Sequence, residues 1–189
     1  MRPLPPDSVR GRIAAYIERH AERLGADVLE CGARLPQAKC SWASARHLAR
    51  GAWTGTDMQA GLNVDVVADL HALPKEWSGR FSGILLSEVL EHVRWPQRAL
   101  RELHRALQPG GALIVTTLTA FPIHNYPSDY RRWTEAGLHA ELEDAGFVEI
   151  KTERAGAVDF ALNDHGESGL THLTCPIHVF AIATTPRAC

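Results

Sequence analysis

The sequence predicts an α/β fold, a doubly wound and mostly parallel sheet with helices on both faces and an antiparallel strand at its end. Three observations predict it. Short apolar runs without strict alternation, Phe81–Leu86 and Ala112–Thr117 among them, fit strands buried on both faces. Between such runs, apolar residues recur at helical spacing. Residues 147–154 and 177–183 then close the chain as two strands with no helical pattern between them, an arrangement that suits an antiparallel pair.

Element by element, residues 7–24 read as an amphipathic helix, with Asp7 or Ser8 as N-cap and Gly25 as the stop. Asp27–Cys31 is a first short strand. A polar loop follows, then a helix over Trp42–Arg50 that ends at Gly51. Ala52–Thr56 is a second strand, closed by Asp57, and Val64–Ala68 a third, followed by Asp69. Residues 81–117 form a strand–helix–turn–strand unit. Its helix carries Val89, Leu90, Val93, Leu100, Leu103 and Leu107, broken only at Pro96, and is stopped by Gln108-Pro109-Gly110-Gly111. A crossover of this kind belongs to a parallel sheet, whose ligands bind outside the carboxyl ends of the strands. Ser87, Glu88, Glu91 and His92 fall at that edge. A long loop over residues 118–133, a helix over Glu135–Ala145 and the two closing strands complete the chain. The polar segment of about twenty residues between those strands reads as a functional or mobile loop.

A chain of 189 residues with 45% hydrophobic and 22% charged residues fits one ordinary domain. Its net charge of −2 gives no electrostatic reason to expect a nucleic-acid partner. Arg131-Arg132 is a local basic patch, and Arg98, Arg101 and Arg105 read as solvated helix surface. Four cysteines without a CxxC pair suit a reduced, cytoplasmic compartment. No signal peptide is evident, and no apolar run approaches the roughly 20 residues that span a bilayer.

Carboxylates occur at three successive strand ends: Glu30 within the first strand, Asp57 after the second and Asp69 after the third. A carboxylate after the second strand suits a ribose diol and repels a phosphate. The first turn, Glu30-Cys31-Gly32-Ala33-Arg34-Leu35-Pro36, holds one glycine, and neither GxGxxG nor GxxxxGK[ST] is present. Dinucleotide and nucleoside-triphosphate binding are disfavoured, and with them a nucleotide-dependent oxidoreductase. A ribose-containing ligand without phosphates fits better.

These residues carry a resemblance. The stretches DVLECGARLP, WTGTDMQAGLNVDVVADLHALP, FSGILLSEVLEHVRWPQRALRELHRALQPGGALIVTT and FPIHNYPSDYRRWTEAGLHAELEDAGF are similar to class I S-adenosylmethionine-dependent methyltransferases, from about residue 25 to residue 150. The second and fourth stretches resemble a subgroup of small bacterial and phage methyltransferases. The resemblance implies a Rossmann-like seven-stranded sheet and a single methyltransferase domain. That domain would comprise an N-terminal helix (1–25), a cofactor-binding core (26–150), and a terminal strand pair with an acceptor-side loop (151–189). It further implies that Glu30 and Gly32 lie by the methionine moiety, Asp57 binds the ribose hydroxyls and Met58 packs on the adenine face. Asp69 and the Leu70 backbone would meet the adenine amino group, with Ser87 and Glu88 under the methionine and sulfonium. The family's second glycine is replaced here by Ala33-Arg34. Arg34 then has three open roles: pairing with the cofactor's carboxylate, forming a structural salt bridge, or crowding the site.

Transfer to an alcohol or an ammonium requires a base. His92, facing the acceptor pocket, and His124, in the 118–133 loop, are the candidates, with Glu88 and Asp129 weaker. Tyr126 and Tyr130 are placed to orient an acceptor. No HxxxH, HExxH or paired-cysteine pattern calls for a metal, and none is expected. Neither a GxSxG elbow nor an Asn/Asp-Pro-Pro-Tyr/Phe signature is present. The expected activity is O-methylation of a small molecule or glycan. The alternative is a catalytically silent methyltransferase-like module or partner subunit.

Overall fold

The computed structural model describes residue 5 and residues 8–35, 44–124, 127–163 and 170–188. The α-helices are α1 (Val9–His20), α2 (Pro96–Ala106) and α3 (Glu135–Asp144). The strands are β1 (Val28–Cys31), β2 (Trp53–Asp57), β3 (Val66–Val67), β4 (Phe81–Ser87), β5 (Leu107–Leu118), β6 (Val148–Ala155), β7 (Val158–Asn163), β8 (Leu170–Cys175) and β9 (His178–Thr184). Seven strands form one sheet in the order β3-β2-β1-β4-β5-β9-β6. The β1–β2, β1–β4, β2–β3 and β4–β5 pairs are parallel, whereas β9 runs antiparallel to both neighbours. The last strand thus inserts between β5 and β6.

Period-two alternation explains why both faces are covered. Ile84 and Leu86 of β4, Leu113 and Val115 of β5, and Val179 and Ala181 of β9 pack with Leu100 and Leu103 of α2 and Leu138 and Leu142 of α3. Their neighbours Leu85, Ile114, Phe180 and Ile182 pack on the opposite face with Tyr16 and Ile17 of α1. Ser8 caps α1 by accepting from the Gly11 amide at 3.0 Å, and Thr134 caps α3 by accepting from Gly137 at 3.0 Å. Pro96 sits in the first turn of α2, where its missing N–H costs nothing. Pro96, Ala99, Leu100, Leu103 and Ala106 form the buried stripe of α2.

Several expected boundaries shift. The helix expected from Val89 is a short 3₁₀ turn, Leu90–His92, and true helix begins only at Pro96. Gln108-Pro109-Gly110-Gly111 ends α2 as expected but belongs to β5. Phe81 pairs with Leu107 and Gly83 with Ala112, so the turn bulges out of the ladder. The third strand shrinks to two residues. Of the helix expected over 42–50, residues 42 and 43 lie outside the described residues, and the remainder holds only a 3₁₀ turn, Arg46–Leu48. The segment expected as a loop between the closing strands contains the β7–β8 hairpin, a separate two-stranded sheet. No helix among the described residues is long and apolar enough to cross a membrane.

Candidate active site

At the exit of β1 the chain turns through Gly32 at φ 69°. A Cβ built there would stand 2.3 Å from Val89 Cγ2, so the turn needs glycine both for its backbone angle and for the close approach of the β4 exit. Gly32 itself is solvent-exposed. Glu30, one of the residues expected at the ligand, is buried, and its carboxylate is heavily engaged. Oε2 accepts from Ser44 Oγ at 2.9 Å, Trp53 Nε1 at 2.9 Å and Asn63 Nδ2 at 3.3 Å; Oε1 accepts from the Ala45 amide at 3.2 Å. These bonds offset the cost of burying the charge and tie the 44–45 and 63 segments to β1. Ser44, Trp53 and Asn63 gave no sequence signal for this role, because the partners come from three separate segments.

Asp57 ends β2, where its Oδ1 accepts from the Gln59 amide at 2.9 Å. Arg34 Nε lies 3.9 Å from the same oxygen, with both side chains mostly shielded from solvent. This contact is that of a structural salt bridge, one of the three open roles for Arg34. Met58, next in the chain after Asp57, is 61% exposed. Asp69 forms a turn in which Oδ1 accepts from the His71 amide at 2.9 Å and meets His71 Nδ1 at 2.7 Å. Burial works to raise the Asp69 carboxyl, but these contacts and Arg98 outweigh it and leave it below the usual range. Leu70 is buried in the core.

The β4 exit carries the other half of the edge. Ser87 Oγ pairs with Thr116 Oγ1 at 2.9 Å, and the Glu88 amide donates to the Thr116 carbonyl at 2.9 Å. Glu88 adopts φ 53°, a left-handed angle that a non-glycine residue adopts only when its surroundings hold it there. Its Oε2 meets His178 Nε2 at 3.2 Å, while the buried Oε1 has no hydrogen-bond partner.

Beyond it, the loop after β5 folds back onto the 3₁₀ turn: the Tyr130 amide donates to the Glu91 carbonyl at 2.8 Å, and Trp133 donates to Leu118 at 2.8 Å. This return brings His124 to His92, with ring centroids 5.0 Å apart, so both base candidates share one place. His92 Nδ1 meets the Ser128 carbonyl at 2.6 Å, and its Nε2 lies 4.0 Å from Glu91 Oε1. Glu91 is fully buried; Thr117 Oγ1 donates to its Oε2 at 2.9 Å. Burial, then the neighbouring Glu88 carboxylate, pushes the Glu91 carboxyl well above the usual range. Asp129 is held far below that range, chiefly by the Arg132 guanidinium, which grips both its oxygens. Tyr130 is 47% exposed at the rim, and Tyr126 lies outside the described residues. Glu91 stood at the edge in the sequence without a role.

The edge fits a phosphate-free adenosyl ligand on three counts. It offers exposed backbone at Gly32, carboxylates at two successive strand ends, and the unpartnered Glu88 Oε1 at the exit of β4. Residues 9–155 match the model of a family described as a methyltransferase domain. A ubiquinone biosynthesis O-methyltransferase of a Caulobacter species is 31% identical over 110 residues, covering 56% of this chain and 42% of that protein. One from Azotobacter vinelandii is 28% identical over 123 residues, covering 57% and 50%. The chain thus spans half or less of these curated relatives. Among solved structures, an S-adenosylmethionine-dependent methyltransferase from Archaeoglobus fulgidus superposes with TM-score 0.66 at 14% identity, covering 94% of this chain and 95% of that one. A Burkholderia thailandensis 1,6-didemethyltoxoflavin N1-methyltransferase, solved with its substrate and S-adenosylhomocysteine, superposes with TM-score 0.60 at 18% identity, covering 95% and 79%. A sheet whose last strand inserts antiparallel and the family match across most of the chain converge: this chain belongs to the methyltransferase-domain family and shares the fold of solved S-adenosylmethionine-dependent methyltransferases.

Proposed function

We propose that this chain is an S-adenosylmethionine-dependent methyltransferase that methylates a hydroxyl of a small molecule or glycan, using the strand-end edge that carries Gly32, Asp57, Ser87 and Glu88. The observation that carries the reading is the convergence of Glu91, His92 and His124 beyond Ser87 and Glu88. Hydroxyls are poor nucleophiles at neutral pH, and a site that methylates them needs a device for taking or displacing the proton. Two imidazoles beside a buried carboxylate supply one. The curated relatives named as O-methyltransferases support the same acceptor atom.

When bound, S-adenosylmethionine supplies a methyl group already activated on a sulfonium. The chain's own work is then positional. Asp57 accepts from the ribose hydroxyls, Met58 covers the adenine face, and Asp69 with the Leu70 backbone meets the adenine amino group. Glu30 sets the β1 turn so that Gly32 can approach the methionine moiety. Ser87 and Glu88 lie beneath the methionine and sulfonium, where a carboxylate favours positive charge. His92 or His124 receives the acceptor's proton, and Tyr130 orients the acceptor.

The test is methyl transfer from labelled S-adenosylmethionine to a panel of hydroxylated aromatic and sugar acceptors, beside amine-bearing and carbon-nucleophile analogues. Stable methyl ethers formed only by the hydroxylated set, and lost in His92→Ala, are expected. Label appearing only on nitrogen or carbon would overturn the proposal.

A further inference from the structure

We infer that Glu91, His92 and His124 form a binding site for one divalent transition-metal ion, next to the Ser87–Glu88 strand exit. The inference rests on the proposed function only in placing the acceptor there; the binding itself is a property of these residues. Each offers one donor atom, and the three atoms lie within 4.8 Å of one another. Glu91 Oε1 is buried without a hydrogen-bond partner, in a residue with no exposed surface. Its distance of 4.0 Å from His92 Nε2 is too long for a hydrogen bond, so the cluster is not held together by bonds among its own members. A buried carboxylate oxygen left this way costs free energy unless something else meets it.

The surroundings are those of metal-binding imidazoles. A ligating histidine turns its other ring nitrogen to a carbonyl or carboxylate, which fixes the tautomer and the ring. His92 Nδ1 meets the Ser128 carbonyl at 2.6 Å, which marks Nδ1 as the donor and leaves the lone pair on Nε2. His124 Nδ1 lies 3.2 Å from Oδ2 of Asp129, whose side chain is buried and clamped by Arg132. The Glu91 carboxylate has its own outer support, Thr117 Oγ1 at 2.9 Å. His92 and Glu91 are thus each oriented by a hydrogen bond on the atom not offered to the ion, while His124 is anchored through its backbone amide to Asp129 and its buried Nδ1 has no hydrogen-bond partner.

Geometry and donor type narrow the ion. A tetrahedral zinc ion with bonds of about 2.0–2.1 Å spaces its donors roughly 3.3 Å apart. The cluster must close by about 1.5 Å, a movement available to His124 on its loop. Two nitrogens and one oxygen select zinc, cobalt, manganese or iron over magnesium and calcium, which take oxygen ligands. Three protein ligands leave an open coordination position, and an acceptor hydroxyl placed there is acidified. With an ion bound, the metal replaces His92 or His124 as the device that removes the acceptor's proton, and that proton leaves to solvent.

The signature motifs of metal sites do not reveal this one, because Glu91-His92 and His124 are separated by an entire helix and strand. Only the return of the 118–133 loop brings them together.

The experiment uses the full chain after chelator treatment, titrated with zinc by calorimetry and with cobalt by visible absorption. One equivalent of cobalt is expected, with the intense d–d bands of a low-coordinate nitrogen-ligated ion. Glu91→Gln and His124→Ala should each weaken binding by about 100-fold or more, while His104→Ala, at a ring that meets Phe147 edge-on, leaves it unchanged. Circular dichroism and S-adenosylhomocysteine calorimetry on every variant verify that the fold is retained. Absence of saturable one-site binding, or equal binding by Glu91→Gln and the parent, overturns the inference. Full methylation of hydroxyl acceptors by metal-free protein, with no cobalt bound in the titration, overturns it and leaves the proposed function standing. Tight one-site metal binding with transfer only to nitrogen or carbon does the reverse.

Discussion

Gly32→Ala tests the geometry that joins the two halves of the edge. Two separable costs follow from the structure. The backbone at φ 69° penalises any side chain by about 1–2 kcal/mol. The new methyl also arrives 2.3 Å from Val89 Cγ2, well inside the ordinary carbon–carbon contact of about 3.5–4.0 Å. Val89 follows Glu88, itself at φ 53°, so it has little room to retreat without moving the β4 exit. Overpacking of this kind costs about 1–3 kcal/mol. The sum is about 2–5 kcal/mol, a large share of the 5–15 kcal/mol that typically separates folded from unfolded chains. Urea unfolding measures it, and calorimetry with S-adenosylhomocysteine reads the displaced edge as lost affinity. The clash term belongs to the pair and the backbone term does not. In a double-mutant cycle, Val89→Ala should therefore recover about 1–3 kcal/mol of the loss and leave the rest. A Gly32→Ala protein destabilised by less than about 0.5 kcal/mol, or no coupling to Val89→Ala, would refute the reasoning.

Asp57→Ala should lower affinity for S-adenosylhomocysteine by about 10- to 100-fold in calorimetry, the loss of charge-assisted hydrogen bonds worth about 1.5–3 kcal/mol; unchanged affinity would remove Asp57 from the ribose role. If Arg34 serves mainly as the partner of Asp57, Arg34→Ala should alter that affinity far less than Asp57→Ala does; an equal loss would show direct contact with the cofactor. Burial holds the Cys31 thiol in its neutral form, so alkylating reagents should modify Cys31 only on unfolding; mass spectrometry showing it labelled in the native protein would contradict its packing. Partial burial works to raise the Asp65 carboxyl, but the Gly55 amide and the Arg46 guanidinium prevail and hold it below its usual value. A depressed folded pKa stabilises the protein above the unfolded value of about 3.8 and is lost as pH falls through the folded one. Acid unfolding of Asp65→Asn should accordingly show a shallower loss below about pH 4 than the parent, and identical acid limbs would count against the ion pair.

The features legible in the sequence are those that local chemistry decides. Phe81–Leu86 reads as a buried strand because nothing in it alternates, and Leu100 and Leu103 mark one helix stripe by spacing, whereas Leu107, read with them, opens β5. Asp57 and Asp69 were visible as strand-end carboxylates because a turn residue follows an apolar run. The turn at Gly32 was visible because glycine tolerates its backbone angle. The β7–β8 hairpin was not, since its pairing is set by contacts between segments that carry no strong periodicity. Nor was the full engagement of Glu30, whose donors come from Ser44, Ala45, Trp53 and Asn63.

By itself, then, the sequence determined the parallel α/β plan, its ligand edge and the absence of a phosphate turn, all consequences of short-range periodicity and residue type. Tertiary structure alone decided that β9 enters between β5 and β6, and that the loop after β5 returns to set His124 against Glu91 and His92. The reason is physical: strand insertion and loop return depend on pairings between residues far apart in the chain, and one-dimensional spacing carries no record of them.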